Sequence, residues 1–209
     1  MICKRTAFVS ASEERLEKLI VARISSNSER KVEIDKQIWD LFGERLSIMF
    51  TDLSGFSRNT AKFGIIHFLQ TIYESERILT PIIEKYNGIL LKTEGDSMLI
   101  IFKNPNNALR CAISMQTDVR TYNQHREKEE QVLLCIGLGY GDVLKIGDSD
   151  IFGYEVNLAS KLGEDTAKAY EILASENFVK NIDTKDINIE ELDENIFSGI
   201  GRGYRILYT

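Results

Sequence analysis

The sequence predicts an α+β domain built on a split βαββαβ core, and three observations predict it. The first is the order of hydrophobic patterns between Leu46 and Ile146: an apolar strand, a long amphipathic helix, two apolar runs about a polar turn, a second helix and a further strand. The second is that polar turn, Thr93-Glu-Gly-Asp-Ser97, which joins its flanking runs as a β-hairpin with Asp96 at the tip. The third is composition. At 209 residues, 43% hydrophobic and 28% charged with two prolines, the chain can bury one full-sized core and has no room for long disordered tracts.

In chain order, residues 1–45 form a helical segment and residues 46–209 the domain proper. Leu16, Leu19, Ile20 and Ile24, then Ile34, Ile38, Trp39 and Phe42, recur at helical spacing about the polar Ser25-Ser-Asn-Ser28, giving two short helices joined by a turn. Their simplest role is to pack on the domain; a second is to pair with another copy of the chain. The first strand begins at Leu46 and ends at Asp52. Residues 58–86 read as a long helix that Pro81 kinks or restarts, closed by Asn87-Gly88. The hairpin fills 88–102, and Asn104-Pro105 opens a helix through about Gln124. A strand at Val132–Leu138 turns at Gly139-Tyr-Gly141-Asp142 and returns through Val143–Ile146. The rest adds a helix around Asn157, a strand at Glu171–Ala174, another helix and a last strand at Tyr204–Tyr208.

The net charge of -6 and a pI near 5.1 argue against nucleic-acid or anionic-membrane partners, which require a positive field. Cys3, Cys111 and Cys135 are too dispersed for a disulfide framework or zinc site, which fits a reducing cytoplasm. No apolar run reaches the ~18 to 20 residues of a membrane span. His67 and His125 read as surface or packing residues.

In the split plan the first and third strands lie side by side and antiparallel, so Asp52 and Asp96 become neighbours. Two such carboxylates need a compensating cation, and hard oxygen donors favour Mg²⁺ or Mn²⁺ over zinc. A pair of ions there could acidify an attacking hydroxyl and clamp a phosphoryl group. Singly, Asp52 could equally cap the next helix and Asp96 could simply fill a turn. Lys92 lies on the hairpin strand near the tip. In Asp150-Ile-Phe-Gly-Tyr-Glu-Val-Asn157-Leu-Ala-Ser-Lys161-Leu-Gly163, Asp150 precedes a helix with Asn157 and Lys161 on one face; the ordinary reading is the outer side of an amphipathic helix with Val156, Leu158, Ala159 and Leu162 inward.

Three stretches in order, Phe50-Thr-Asp-Leu-Ser-Gly-Phe56, Lys92-Thr-Glu-Gly-Asp-Ser-Met98 and Asp150 through Leu162, resemble the motifs of the class III adenylate and guanylate cyclase catalytic domain, over residues 46 to 208. The resemblance implies a ferredoxin-like palm with a C-terminal α/β extension. It also implies a homodimer with two composite sites that convert ATP to 3′,5′-cyclic AMP and pyrophosphate. Asp52 and Asp96, with the backbone carbonyl of Leu53, match the ligands of two Mg²⁺ or Mn²⁺ ions per site. Lys92 and Asp150 match the pair that reads adenine, Asn157 the residue that orients ribose, and Lys161 the transition-state cation.

The chain departs from the family pattern in four places. Lys161 stands where arginine is usual, keeping the charge and losing the planar fork. Asp142 stands where many relatives carry a phosphate-contacting arginine, with Lys145 as a nearby cation that could compensate. The compact Ile146-Gly-Asp-Ser-Asp150 shortens a loop that normally projects between subunits, which shifts dimerisation towards the N-terminal helices. Arg202, between Gly201 and Gly203, replaces a lysine on the triphosphate. Lys161 and Asp142 leave one alternative, a cyclase-like nucleotide-binding or regulatory module without turnover; a second, a cyclase for GTP, CTP or UTP, stays open because the base pocket also depends on residues beyond Lys92 and Asp150. The activating signal is open, including a separate regulatory partner, small ions of the bicarbonate kind and concentration-driven dimerisation.

Overall fold

The computed structural model describes residues 11–55, 63–148, 150–185, 187–193 and 201–208. Two N-terminal helices, α1 (Ala11–Ile24) and α2 (Ser28–Phe42), form as the periodicity predicts, and Asn27 caps α2 by accepting the Arg30 N–H. α2 runs directly into β1 (Gly43–Leu53), which starts three residues before the expected strand. Then come α3 (Ile65–Lys85), the hairpin β2 (Ile89–Glu94) and β3 (Ser97–Phe102), and α4 (Pro105–Asn123), capped by Asn104. β4 (Leu134–Ile146), β5 (Asp150–Phe152) and α5 (Tyr154–Ser160) follow, and α5 ends in one wide π-helical turn, Lys161–Thr166. β6 (Ile172–Ser175), α6 (Glu176–Lys180), β7 (Asn188–Glu191) and β8 (Gly203–Leu207) complete the described chain.

Among the described residues, eight strands make one mixed sheet in the order β2-β3-β1-β4-β6-β8-β7, with β5 paired to β4. The expected adjacency of the first and third strands is present: β1 and β3 are antiparallel, with Thr51 opposite Met98. The alternation along β1 and β3 sends Met49, Leu53, Met98, Ile100 and Phe102 to a core shared with α3 and α4, and Leu46, Ile48, Leu99 and Ile101 to a second core under α5. Asp52 continues the second row, so its carboxylate emerges on the α5 side at the end of the strand.

Two expectations are corrected. Pro81 does not restart α3, which is one helix from Ile65 to Lys85; Leu79, Ile82 and Ile83 bury against the core on both sides of the proline and hold the helix despite one missing N–H donor. Residues 58–62 of the anticipated helix lie outside the described residues. The predicted turn at Gly139–Asp142 is strand, because β4 pairs with β1 without interruption from Leu134 to Leu144. Its glycines have a different purpose. Gly137, Gly139 and Gly141 alternate, so all three face α5, and a Cβ on Gly137 would lie 2.1 Å from the Ala159 carbonyl oxygen, while one on Gly139 would lie 2.6 Å from that of Glu155. This bare stripe lets the α5 backbone press onto the sheet.

Gly137→Ala should therefore cost about 2 to 3 kcal/mol or more, since backbone rather than a flexible side chain stands in the way. A urea unfolding midpoint unchanged by this substitution would contradict the packing just described.

Candidate active site

The candidate site begins at the tips of β1 and β3. The β2–β3 hairpin closes in a two-residue turn, Gly95-Asp96, because Glu94 pairs with Ser97 and Gly95 takes the left-handed conformation with φ 62°. That tight turn sets Asp96 beside the end of β1. The Ser97 hydroxyl donates to Asp52 Oδ1 at 3.2 Å, the two carboxylates are within hydrogen-bonding reach of each other, and the Leu53 N–H serves both. The Leu53 N–H is thus a donor that the two carboxylates share.

Burial and the neighbouring Asp96 charge push the Asp52 carboxyl up to about 7, and burial also raises Asp96. The charge of Glu164, on the π-turn, raises both further, which brings a third acid to bear on the pair. Glu164 itself is held by the Ser160 hydroxyl. No cluster of three metal-ligating side chains occurs among the described residues. The two aspartates nonetheless fit a hard divalent cation: their donors are all oxygen, they are half-buried, and among the described residues no ion pair compensates their repulsion.

Lys92 and Asp150 also meet. The ammonium lies 3.5 Å from Asp150 Oδ1 and 3.0 Å from Glu94 Oε1, and Glu94 chiefly raises its pKa. A bulge between Leu90 and Lys92 and the short β4–β5 hairpin, which pairs Ile146 with Asp150, aim these side chains at one another. Both remain over a third exposed, so the pair is available to a ligand.

On α5, Val156, Leu158 and Ala159 are buried and Asn157 is exposed, with Lys161 half-buried one turn on, as the amphipathic pattern predicts. Lys161 has no ion pair among the described residues. Arg202 lies 3.6 Å from Glu191 at the β7–β8 edge, and Gly199 and Ile200 of its glycine-flanked stretch lie outside the described residues. The Lys145 ammonium is bound to the Gly147 carbonyl and Asp148.

Two residues that sequence reasoning passed over organise this region. Arg45 forms a two-point ion pair with Asp142 at 2.7 and 3.0 Å, which lowers the Asp142 carboxyl, so a guanidinium does stand at this edge, from β1. Glu155 is only 4% exposed yet fully engaged: it accepts from the Ser175 hydroxyl at 2.6 Å, the Asn177 amide at 2.7 Å and the Tyr140 N–H at 3.2 Å. Its position on the otherwise apolar stripe 155-158-159-162 was the available signal for a buried, bonded acid. No described helix is long and apolar enough to cross a membrane. Cys111 and Cys135 are buried, and burial pushes their thiols up to about 12, away from the thiolate form.

Comparison with known proteins places this architecture. The chain is 27% identical over 116 residues to putative adenylate cyclase 3 of Rhizobium meliloti, a match spanning 56% of this chain and 20% of that protein. Among solved structures, the adenylyl cyclase CyaB of P. aeruginosa superposes with TM-score 0.66 at 23% identity over 80% of this chain and 95% of the other. The monomeric guanylyl cyclase domain of the RhoGC fusion protein from Blastocladiella emersonii gives 0.67 at 18% over 79% and 98%. The chain spans about a fifth of the length of the Rhizobium relative. Residues 42–209 match the model of the adenylate and guanylate cyclase catalytic domain, and the chain belongs to that family.

Proposed function

We propose that the chain cyclises ATP to 3′,5′-cyclic AMP and pyrophosphate in a homodimer, with Asp52 and Asp96 of one copy facing the base- and ribose-binding residues of another. The observation that carries the chemistry is the convergence of Asp52 and Asp96 on adjacent strand ends, where burial and mutual repulsion create a demand for positive charge. Mg²⁺ or Mn²⁺ held there would supply Lewis acidity for the ribose 3′-hydroxyl and neutralise charge on the polyphosphate. Asp52 and Asp96, with the backbone carbonyl of Leu53, would hold it, and the Leu53 N–H and the Ser97 hydroxyl fix the orientation of the carboxylates.

The preference for ATP rests on Lys92 and Asp150. A lysine donor beside an aspartate acceptor complements the ring nitrogen and amino group of adenine, and guanine reverses that polarity, leaving buried groups without partners. Asn157 orients the ribose. Lys161, which has no ion pair among the described residues, meets charge that develops on the phosphate. Arg202 adds a contact to the triphosphate.

With Mn²⁺ and each of ATP, GTP, CTP and UTP, cyclic AMP should be the main product, and Asp96→Asn should lower its formation at least about a hundredfold. A preference for another nucleotide would overturn the roles of Lys92 and Asp150, and ATP binding without any cyclic product would favour a regulatory module.

Lys161→Arg should leave turnover equal or higher, because it adds a planar fork that can donate at two points without removing charge. A steady-state assay in which that variant is inactive contradicts the role given to Lys161.

The acidic pair also sets a pH dependence. In metal-free protein Asp52 keeps its proton to about pH 7, whereas in the unfolded chain it loses it near 3.8, so the native state binds more protons between those values and stability falls as pH rises through that window. Urea midpoints in chelator should drop from about pH 5 to about pH 8, the slope should shrink in Asp52→Asn, and Mn²⁺ should stabilise most at the alkaline end. A wild-type profile parallel to that of Asp52→Asn would refute the coupling.

A further inference from the structure

A groove of about 530 Å³ runs between α1 and the β4–β5 hairpin, and both Lys92 and Asp150 line it. One wall is Leu16, Ile20 and Val21 of α1; the other is Ile146 and Phe152. Ile20, Val21 and Phe152 are 42%, 59% and 54% exposed, an apolar surface set around one donor and one acceptor. A groove of this size, mostly apolar with a few convergent polar groups, has the make-up of a small-molecule site. The helix is anchored where it stands: Leu19 is buried with Ile34, Ile38, Phe42 and Ile146, and Arg23 is bound to Asp35 of α2.

We propose that α1 completes the nucleobase pocket from within the same chain, with a purine lying flat between Ile20 and Val21 on one side and Phe152 on the other, its polar edge against Lys92 and Asp150. A purine is apolar on its faces and polar along its rim, which is the distribution this groove complements. Glu13 and Glu17 of α1 also line the groove. Their charge disfavours a triphosphate and admits the base end of a nucleotide. The inference rests on the cyclase reading for the roles of Lys92 and Asp150. It adds a wall from residues 11–24, outside the 42–209 region common to the family.

The test is calorimetric binding of ATP and of inorganic tripolyphosphate, each with Mn²⁺, to the full chain and to Ile20→Ser/Val21→Ser. Both side chains are well exposed, so the fold should survive, and thermal unfolding checks it; Val21→Ser alone serves if the double variant does not fold. The expected result is ATP affinity weakened about tenfold with tripolyphosphate affinity unchanged. Unchanged ATP affinity, equal weakening of both ligands, or tighter ATP binding, which would make α1 a cover rather than a wall, each overturns the proposal. Wild-type protein that binds ATP with this pattern yet forms no cyclic AMP defeats the cyclase reading and leaves the groove assignment standing. Wild-type protein that binds no ATP overturns the groove assignment itself.

Discussion

Everything at the candidate site depends on the register of β1 against β3. Five consecutive antiparallel pairs, Ser47 with Phe102 through Thr51 with Met98, fix it, and both flanking cores enforce it, because a slip of one residue would exchange the two buried faces of each strand. That constraint forces two aspartates forty-four positions apart into contact at the sheet's end. The chain spends conformational stability on this arrangement, since half-burying two like charges is unfavourable by itself. The apolar rows behind them supply the compensation: Met49, Ile100, Phe102 and their neighbours are almost wholly buried.

A second constraint positions the opposite half of the chemistry. The glycine face of β4 lets α5 settle on the sheet, and Glu155 ties that helix to β4, β6 and α6 through Tyr140, Ser175 and Asn177. A buried carboxylate with three donors is costly to disturb, because each donor removed leaves part of its buried charge unsatisfied. Asn157 and Lys161 thus project from a helix clamped both by shape and by hydrogen bonds.

Much of this was legible in the sequence. Helical periodicity located α1, α2 and α4, the Gly95-Asp96 tip located the hairpin, and the split order of elements brought Asp52 to Asp96. What was not legible depends on distant parts of the chain. Gly139 and Gly141 read locally as a turn because glycine's usual meaning is conformational; their meaning here is steric, and it is set by a helix that follows β4. Arg45 and Asp142 are ninety-seven residues apart, so no local pattern links them. β5 and β7 are only three and four residues long, too short for alternation to register. Pro81 showed the opposite failure: a strong local breaker overridden by burial on both sides.

The join between α2 and β1 has a mechanical meaning. The Gly43 N–H caps the helix on the Trp39 carbonyl while Gly43 already pairs with Leu144 as strand, so there is no slack residue between rod and ribbon. Eight residues along that same ribbon lies Thr51, and Asp52 follows it. A shift of the helical pair therefore passes to the sheet with no loop to absorb it, and whatever binds those helices acts on the strand that carries Asp52.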